Sequence, residues 1–422
     1  MAAKIRVVNR VQVVLRAESL DQTLPPEHPV RGLWAFVARL DLSPWTARIV
    51  SQRGAAGASA IDPRVLTALW LWATLQGIGS ARAIARLCEE HLAYRWLCGD
   101  EPVNHHSLSD FLASDPKWIE GLLVQSAAAP MHAGVANLER VAQDGMRVRA
   151  SAGAGSFRRR ATLAKCRAEA QEQFAALQEQ RDDGASLGSS AAQERAARER
   201  VERLDRALAG MAELQAANAE QSPSRRKEAA ALWVSTTDPE ARKMKVPDGG
   251  FRPAYNVQFA TTVEGGVIVG VDVVNAGVDS NQMEPMLESI EANYRTRPEH
   301  HLVDGGFVND AAIEAAEQQG TAVLAPVRNA EKLAAGGQDP FAPRPSDSDE
   351  LAAWRTRMGT AEAKAEYRHR ASTAEWSNAQ ARNRGLQQFR VRGLAKVLSV
   401  SLWFGLVHNF TRGSDWKPLI PR

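Results

Sequence analysis

The chain's apolar positions repeat with a helical period over residues 29–135. Pro29 can open a helix through Leu33 and Phe36 to Leu40. Pro63 stands at a first helical position, where its missing N–H costs nothing, ahead of Val65, Leu66, Leu69, Trp70 and Leu71. Ser80 can cap a stripe of Ile84, Leu87, Cys88, His91 and Leu92. Ser107 can cap the short segment that follows it to Leu112. The pattern predicts an all-helical region. Two of its short helices have the outline of a helix-turn-helix, and scaffold or dimer contacts suit them equally.

From residue 138 the period changes. Leu138 to Ala150 alternates and is rich in β-formers, which predicts strands around Asp144-Gly145. Residues 159–218 return to helical spacing. One stripe is Leu163, Cys166, Ala170, Phe174 and Leu177; the other is Ala197, Val201, Leu204, Leu208 and Met211, with a break at Gly184–Ser190. This reads as a helical hairpin inserted into another domain, or as a solvated spacer. Tyr255–Thr262 and Val267–Val274 then alternate as strands around a turn at Glu264-Gly265-Gly266. A helix over 281–297, a strand at His301–Asp304, a helix over 310–319 and a strand over 321–327 follow. That succession predicts an α/β layer with some parallel pairing. Residues 335–349 read as a loop, and helical patterns resume near Leu351 and from Glu375 to Phe410.

Bulk properties narrow the function only slightly. At 422 residues two or three domains are expected, and 44% hydrophobic with 24% charged residues is a globular balance. A net charge of +3 permits a nucleic-acid partner without requiring one. Cys88, Cys98 and Cys166 form no CxxC pair, so neither a disulfide framework nor a zinc ribbon is expected, and a reducing cytoplasm fits. Lys4 and Arg6 are followed by no uninterrupted apolar run, since Asn9, Arg10 and Gln12 intervene, and no signal peptide is expected. The longest apolar stretch, Val65 to Leu75, is too short for a bilayer.

Three acids carry the candidate chemistry: Asp144, Asp304 and Glu375. Each has a plain structural reading as well. Asp144-Gly145 suits a hairpin turn, Asp304-Gly305-Gly306 suits the turn after a strand, and Ser372-x-x-Glu375 suits a capping box. Together they suggest more. Both aspartates follow short apolar runs that would hold carboxylates at a sheet end, and the glutamate opens a later helix. Mg²⁺ takes hard oxygen ligands and keeps several waters, so two or three carboxylates suffice; Mn²⁺ can substitute. No His/Cys cluster competes for a softer metal. Two such ions about 4 Å apart activate the attacking oxygen and stabilise the leaving oxygen of an in-line displacement at phosphorus.

The basic residues agree with a nucleic-acid substrate. Between Gly145 and Arg167 the charged residues are Arg147, Arg149, Arg158, Arg159, Arg160, Lys165 and Arg167, with no acid. Between Trp376 and Ser414 they are Arg382, Arg384, Arg390, Arg392, Lys396 and Arg412, again with no acid. Phosphate backbones require such positive surface; a solvated helix face usually mixes both signs. Glu375 and Arg382 are seven apart, two helical turns, and share a face. Arg370, five residues before Glu375, falls off that face in a continuous helix, so Tyr367 and Arg370 are expected to precede the helix or to face elsewhere.

In these motifs the chain resembles bacterial insertion-sequence transposases of the DDE class, in the group with a Tyr-Arg-Glu-Lys type signature. The resemblance takes in Asp62-Pro63-Arg64 onward, Asp144-Gly145, Ser235 to Glu240, Pro247 to Gln258 with Tyr255-Asn256, Asp304-Gly-Gly-Phe, and the Glu375 helix ending Val407-His-Asn409. It implies an α/β, ribonuclease-H-like catalytic domain with a mixed sheet over 136–422. An all-helical N-terminal domain at 1–135 precedes it, for DNA-end binding or dimer contacts. A helical hairpin at about 158–232 interrupts it. Asp144, Asp304 and Glu375 are then the catalytic, Mg²⁺-binding triad. Tyr367, Arg370 and Arg382 contact DNA, with Arg382 replacing the group's lysine; Arg147, Arg149 and Arg392 are further candidate contacts.

The implied activity is cleavage at the terminal inverted repeats of the element and joining of the freed 3′-hydroxyl to target DNA. The expected partners are double-stranded DNA, as element ends and as target, and a second copy of the chain on that DNA. The expected location is the cytoplasm, on the nucleoid. A host nuclease of the same fold and a non-enzymatic DNA-binding or regulatory protein are the alternatives. A nucleotide-binding enzyme is disfavoured by the lack of a GxxxxGK[ST] run.

Overall fold

The structure is a computed structural model that describes residues 11, 13, 17–49, 59–182, 187–220, 226, 228, 231–246 and 248–413. Lys4, Arg6, Asn9, Arg10, Gln12 and Pro247, and the start of the Gly184–Ser190 break, lie outside them.

Among the described residues there are eight strands: β1 (Arg140–Arg149), β2 (Phe157–Arg158), β3 (Val234–Ser235), β4 (Arg242–Lys245), β5 (Phe251–Thr262), β6 (Ile268–Val274), β7 (His300–Leu302) and β8 (Ala322–Leu324). Six make one mixed sheet. β8, β7 and β1 run parallel, β5 is antiparallel to β1, and β6 and β4 share the far side of β5. β2 and β3 pair separately. β5 is buried from Pro253 to its end, as expected for a strand flanked on both sides. Asp144-Gly145 does not turn the chain. β1 passes straight through it, because Asp144 and Gly145 are paired with Phe259 and Gln258 across the ladder.

Ahead of the sheet stand the helices Pro29–Ala38, Pro63–Leu75, Ala81–Glu90, Leu92–Cys98, His105–Leu112 and Pro116–His132. Asp62 and Ser80 cap theirs by accepting from Arg64 N and Ala83 N. Ser107 caps nothing: Asn104, an equally good cap, accepts from His106 N and starts the helix earlier, with Leu108 and Phe111 buried on it.

The helices Arg160–Asp182 and Leu187–Ala219 pack together between β2 and β3, burying Leu163, Ala170, Leu204, Ala207 and Met211 against Leu232 and Val234. Several arginines of the basic run serve this hairpin. Arg167 pairs with Asp205 at 2.9 Å, and Arg160 donates to Gln215.

The helical pattern expected from Glu375 to Phe410 is broken into Trp376–Asn383 and Leu394–Arg412. Gly385 and Gly393 take φ of +97° and +89°, values open to glycine, and turn the chain between them. The intervening residues run beside β1, with Arg149 N donating to Gln387 O and Phe389 N to Arg149 O. The last helix is largely enclosed from Val397 to Phe410, sharing one core with the N-terminal helices and the sheet. No local side chain caps its start. Gly393 N and Leu394 N instead donate to Asp238 and Glu240, and Tyr255 Oη donates to Asp238 at 2.7 Å. At its far end Asn409 exchanges both amide hydrogen bonds with Ile268 of β6.

Candidate active site

Sheet register brings Asp144 and Asp304 to one level. β1 and β7 are parallel and Ala142 pairs with Leu302, so each aspartate lies two residues beyond the same pair. Adjacent strands are about 4.8 Å apart. Each carboxylate has one oxygen tied to a nearby glycine N–H: Gly145 N to Asp144 Oδ1 at 2.9 Å, and Gly306 N to Asp304 Oδ1 at 2.7 Å. The other oxygen of Asp144 takes Asn378 Nδ2 at 3.0 Å, from the helix after Glu375.

Glu375 is not a helix cap. It closes a π-helical turn, Ala371–Glu375, in a largely helical segment, and Ser372 Oγ donates to His369 O instead. A π turn carries one residue more than an α turn, so positions five apart fall on one face. Arg370 therefore does share the face of Glu375, against the expectation for a regular helix. Its Nη2 bonds Glu375 Oε1 at 2.9 Å while its Nη1 lies 3.9 Å from Asp144 Oδ2. One guanidinium thus spans two of the three acids. Tyr367 is half-buried beside it. Burial raises the Tyr367 phenol above its usual range, and the nearby Arg370 charge partly offsets this.

Burial pushes the Asp144 carboxyl up to about 6; Arg370 opposes the rise, and the charges of Asp304 and Asp279 add to it. The acids therefore sit close enough to repel. Among the described residues no three His, Cys, Asp or Glu side chains already stand together in a metal-holding group. The pair Asp144 and Asp304 nevertheless fits a hard divalent cation. It supplies only oxygen donors, and among the described residues the cation that reaches it, Arg370, is shared with Glu375.

The other basic residues disperse. Arg382, two α-turns beyond Glu375, is half-buried, and no protein partner of its guanidinium is found among the described residues. Arg147 points to the opposite face of β1 from Asp144, donating to Asp279 Oδ2 at 2.7 Å and to Gly277 O. Arg149 lies 3.6 Å from Asp248, and exposed Arg392 donates to Ser151 O. Near them a cavity of about 670 Å³ opens between the N-terminal helices and the final helix. Arg149, Arg384 and Arg390 line it and no acid does.

Sequence reasoning missed Asn378 and Asp279. Asn378 follows Glu375 by three residues, one helical turn, which was the available signal. Asp279 sits in a loop with no periodic pattern. Its partners Asn256 and Gln258 were detectable as polar residues two apart in an otherwise apolar strand.

Among the described residues no helix is long and apolar enough to cross a membrane. Comparison with known proteins finds no matching curated protein and no matching solved structure. Two family models do match: a Transposase domain (DUF772) over residues 18–114, within the helical region, and a Transposase DDE domain over residues 341–413, which includes Glu375, Arg370 and Tyr367. Over these two stretches the chain is similar to transposases, the later match being to their DDE domain, which supports a DNA-processing enzyme.

Proposed function

We propose that the chain cuts DNA at the terminal inverted repeats of its element and transfers the freed 3′-hydroxyl ends to target DNA, through a ribonuclease-H-like domain over 136–422. The observation that carries this is the level placement of Asp144 on β1 and Asp304 just beyond the parallel neighbour β7, with Glu375 linked to Asp144 through Arg370. The sheet order, with antiparallel β5 on one side of β1 carrying β6 and β4 on its far edge, and the two parallel strands β7 and β8 on the other side, supports the fold reading.

Asp144, Asp304 and Glu375 would hold Mg²⁺ or Mn²⁺. When bound, the metal supplies Lewis-acid stabilisation of charge on the phosphoryl oxygens and on the attacking and leaving oxygens. The chain's own residues do the rest. Asn378 fixes the rotamer of Asp144 by holding Oδ2, and the glycine N–H groups fix the other oxygen of each aspartate. Arg370, beside Asp144 and Glu375, would hold a non-bridging phosphate oxygen, with Tyr367 next to it. Arg382 on the Glu375 face would take the next phosphate. Arg149 in the acid-free cavity, and Arg392 beside Ser151 at its wall, would track the backbone, with binding that weakens steeply as salt rises. Arg147, whose guanidinium reaches Asp279, would contact DNA only through its remaining edge.

The N-terminal helices, 1–135, would bind element ends or a second copy, as a homodimer bridging two ends in the cytoplasm. The test uses a plasmid carrying the DNA that flanks this reading frame. The wild-type chain is expected to nick it and yield joined products only with Mg²⁺ or Mn²⁺. Asp304→Asn should lose cleavage by at least ~10³-fold while still shifting the flanking DNA in a gel, since only charge stabilisation at the reacting oxygens is removed. Cleavage retained by that variant would refute the assignment. Cutting without joining would point to a nuclease.

A further inference from the structure

A buried ladder of side chains crosses the sheet on the face opposite Asp144. His301 of β7 is fully buried, and burial lowers its imidazole to about 3, so it is neutral. Its Nε2 meets Gln143 Oε1 of β1 at 2.9 Å. Gln143 Nε2 donates to Gln258 Oε1 of β5 at 3.0 Å, and Gln258 Nε2 donates to Asp279 Oδ1 at 2.7 Å. Asn256 Nδ2 reaches the same oxygen at 2.7 Å, and Arg147 holds Oδ2 at 2.7 Å. Three donors from β1 and β5 thus converge on one buried carboxylate, and the ladder ends there.

Two glycines show how tightly Asp279 abuts the aspartate-bearing elements. A β-carbon at Gly145, next to Asp144, would overlap Asp279 Oδ1 and Gln258 Nε2, and would stand 2.8 Å from Asn256 Oδ1. A β-carbon at Gly306, whose N–H holds Asp304, would stand 2.9 Å from Asp304 Oδ1 and 3.7 Å from Asp279 Oδ2. One side chain therefore borders both the β1 peptide that carries Asp144 and the turn that carries Asp304.

We infer that Asp279 is a positioning residue for the Asp144–Asp304 pair. It touches no proposed ligand through a hydrogen bond. It acts by fixing the backbone beneath both of them, with Arg147 neutralising its charge. Such outer supports commonly change metal affinity or activity by 10–100-fold when removed. A buried carboxylate with three donors is also costly to leave half-partnered, so these donors hold Asp279 in one place. The inference rests on the reading of Asp144 and Asp304 as cation ligands.

The test titrates Mn²⁺ into the full-length chain, following the free-ion signal by electron paramagnetic resonance, with near-ultraviolet circular dichroism to establish the fold. Asp279→Asn keeps size and shape but sets an amide N–H against the Arg147 guanidinium. It is expected to weaken Mn²⁺ binding by ~10–100-fold with an unchanged dichroism spectrum. Should that variant not fold, Arg147→Gln, which leaves Asn256 and Gln258 on Asp279, should weaken binding in the same direction. Asp304→Asn separates the two readings. If wild type binds Mn²⁺, Asp304→Asn does not, and the folded Asp279→Asn or Arg147→Gln chain binds as wild type, the positioning role is overturned. If wild type itself does not bind Mn²⁺, the cation reading fails and the positioning role falls with it.

Discussion

Asp144 is held in the site at a cost to the fold. Its folded carboxyl titrates at about 6, chiefly because it is buried, against ~3.9 in an unfolded chain. The folded state therefore binds this proton more tightly. The stabilisation is fully present below about pH 4 and is lost as pH rises through about 6, on the order of 3 kcal/mol. Asp144→Asn removes the titration. In thermal unfolding without divalent metal, the variant should melt above wild type at pH 8, with the difference shrinking toward pH 4; a difference independent of pH would contradict this. Sacrificing stability at a reactive group in this way is common in active sites. Asp144 and Asp304 were legible in the sequence because each follows a short apolar run and precedes glycine. Arg147 was legible only as a charge: its partner lies 132 residues away in an unpatterned loop, and only the folded sheet aims the side chain at it.

Among the elements, the π turn decides how the late helical segment presents its residues. Spacing counted on 3.6 residues per turn places Arg370 off the Glu375 face, and no local signal in Ala371–Glu375 announces the extra residue. The turn behaves as a one-residue insertion, which makes it testable by length. Deleting exposed Ser372 should restore a plain α-helix, leave Arg370 and Glu375 four apart on one face, and keep both melting temperature and cleavage near wild type. Inserting one alanine after Ser372 should rotate Tyr367 and Arg370 by about 100° away from the acids and abolish cleavage. If deletion and insertion proved equally damaging, the π turn would not be what aligns these residues. The strands and helices from β5 to β8 were largely legible from period alone. The break between Asn383 and Leu394 was not, since it depends on β1 accepting Gln387 and Phe389 alongside it.

At the scale of the molecule, function depends on long-range register. The helical region, the hairpin and the sheet each left a periodic trace, but the level placement of Asp144 and Asp304 comes from parallel pairing of β1 with β7, across 160 residues. No local pattern encodes that pairing. Ala142 of β1 and Leu302 of β7 are buried in one core with Val323 and Leu324 of β8, separate from the core in which the helix Leu394–Arg412 packs on the N-terminal helices and on β6. That helix is itself capped by Asp238 and Glu240, so those two acids serve the scaffold.

Crystals of the full-length chain soaked in Mn²⁺ and measured at the manganese absorption edge test the central claim most directly. Anomalous density within about 2.5 Å of carboxylate oxygens of both Asp144 and Asp304 is expected, with Arg370 turned away from Asp144. Density bound elsewhere, or none at saturating Mn²⁺ with Arg370 still seated between Asp144 and Glu375, would contradict the account.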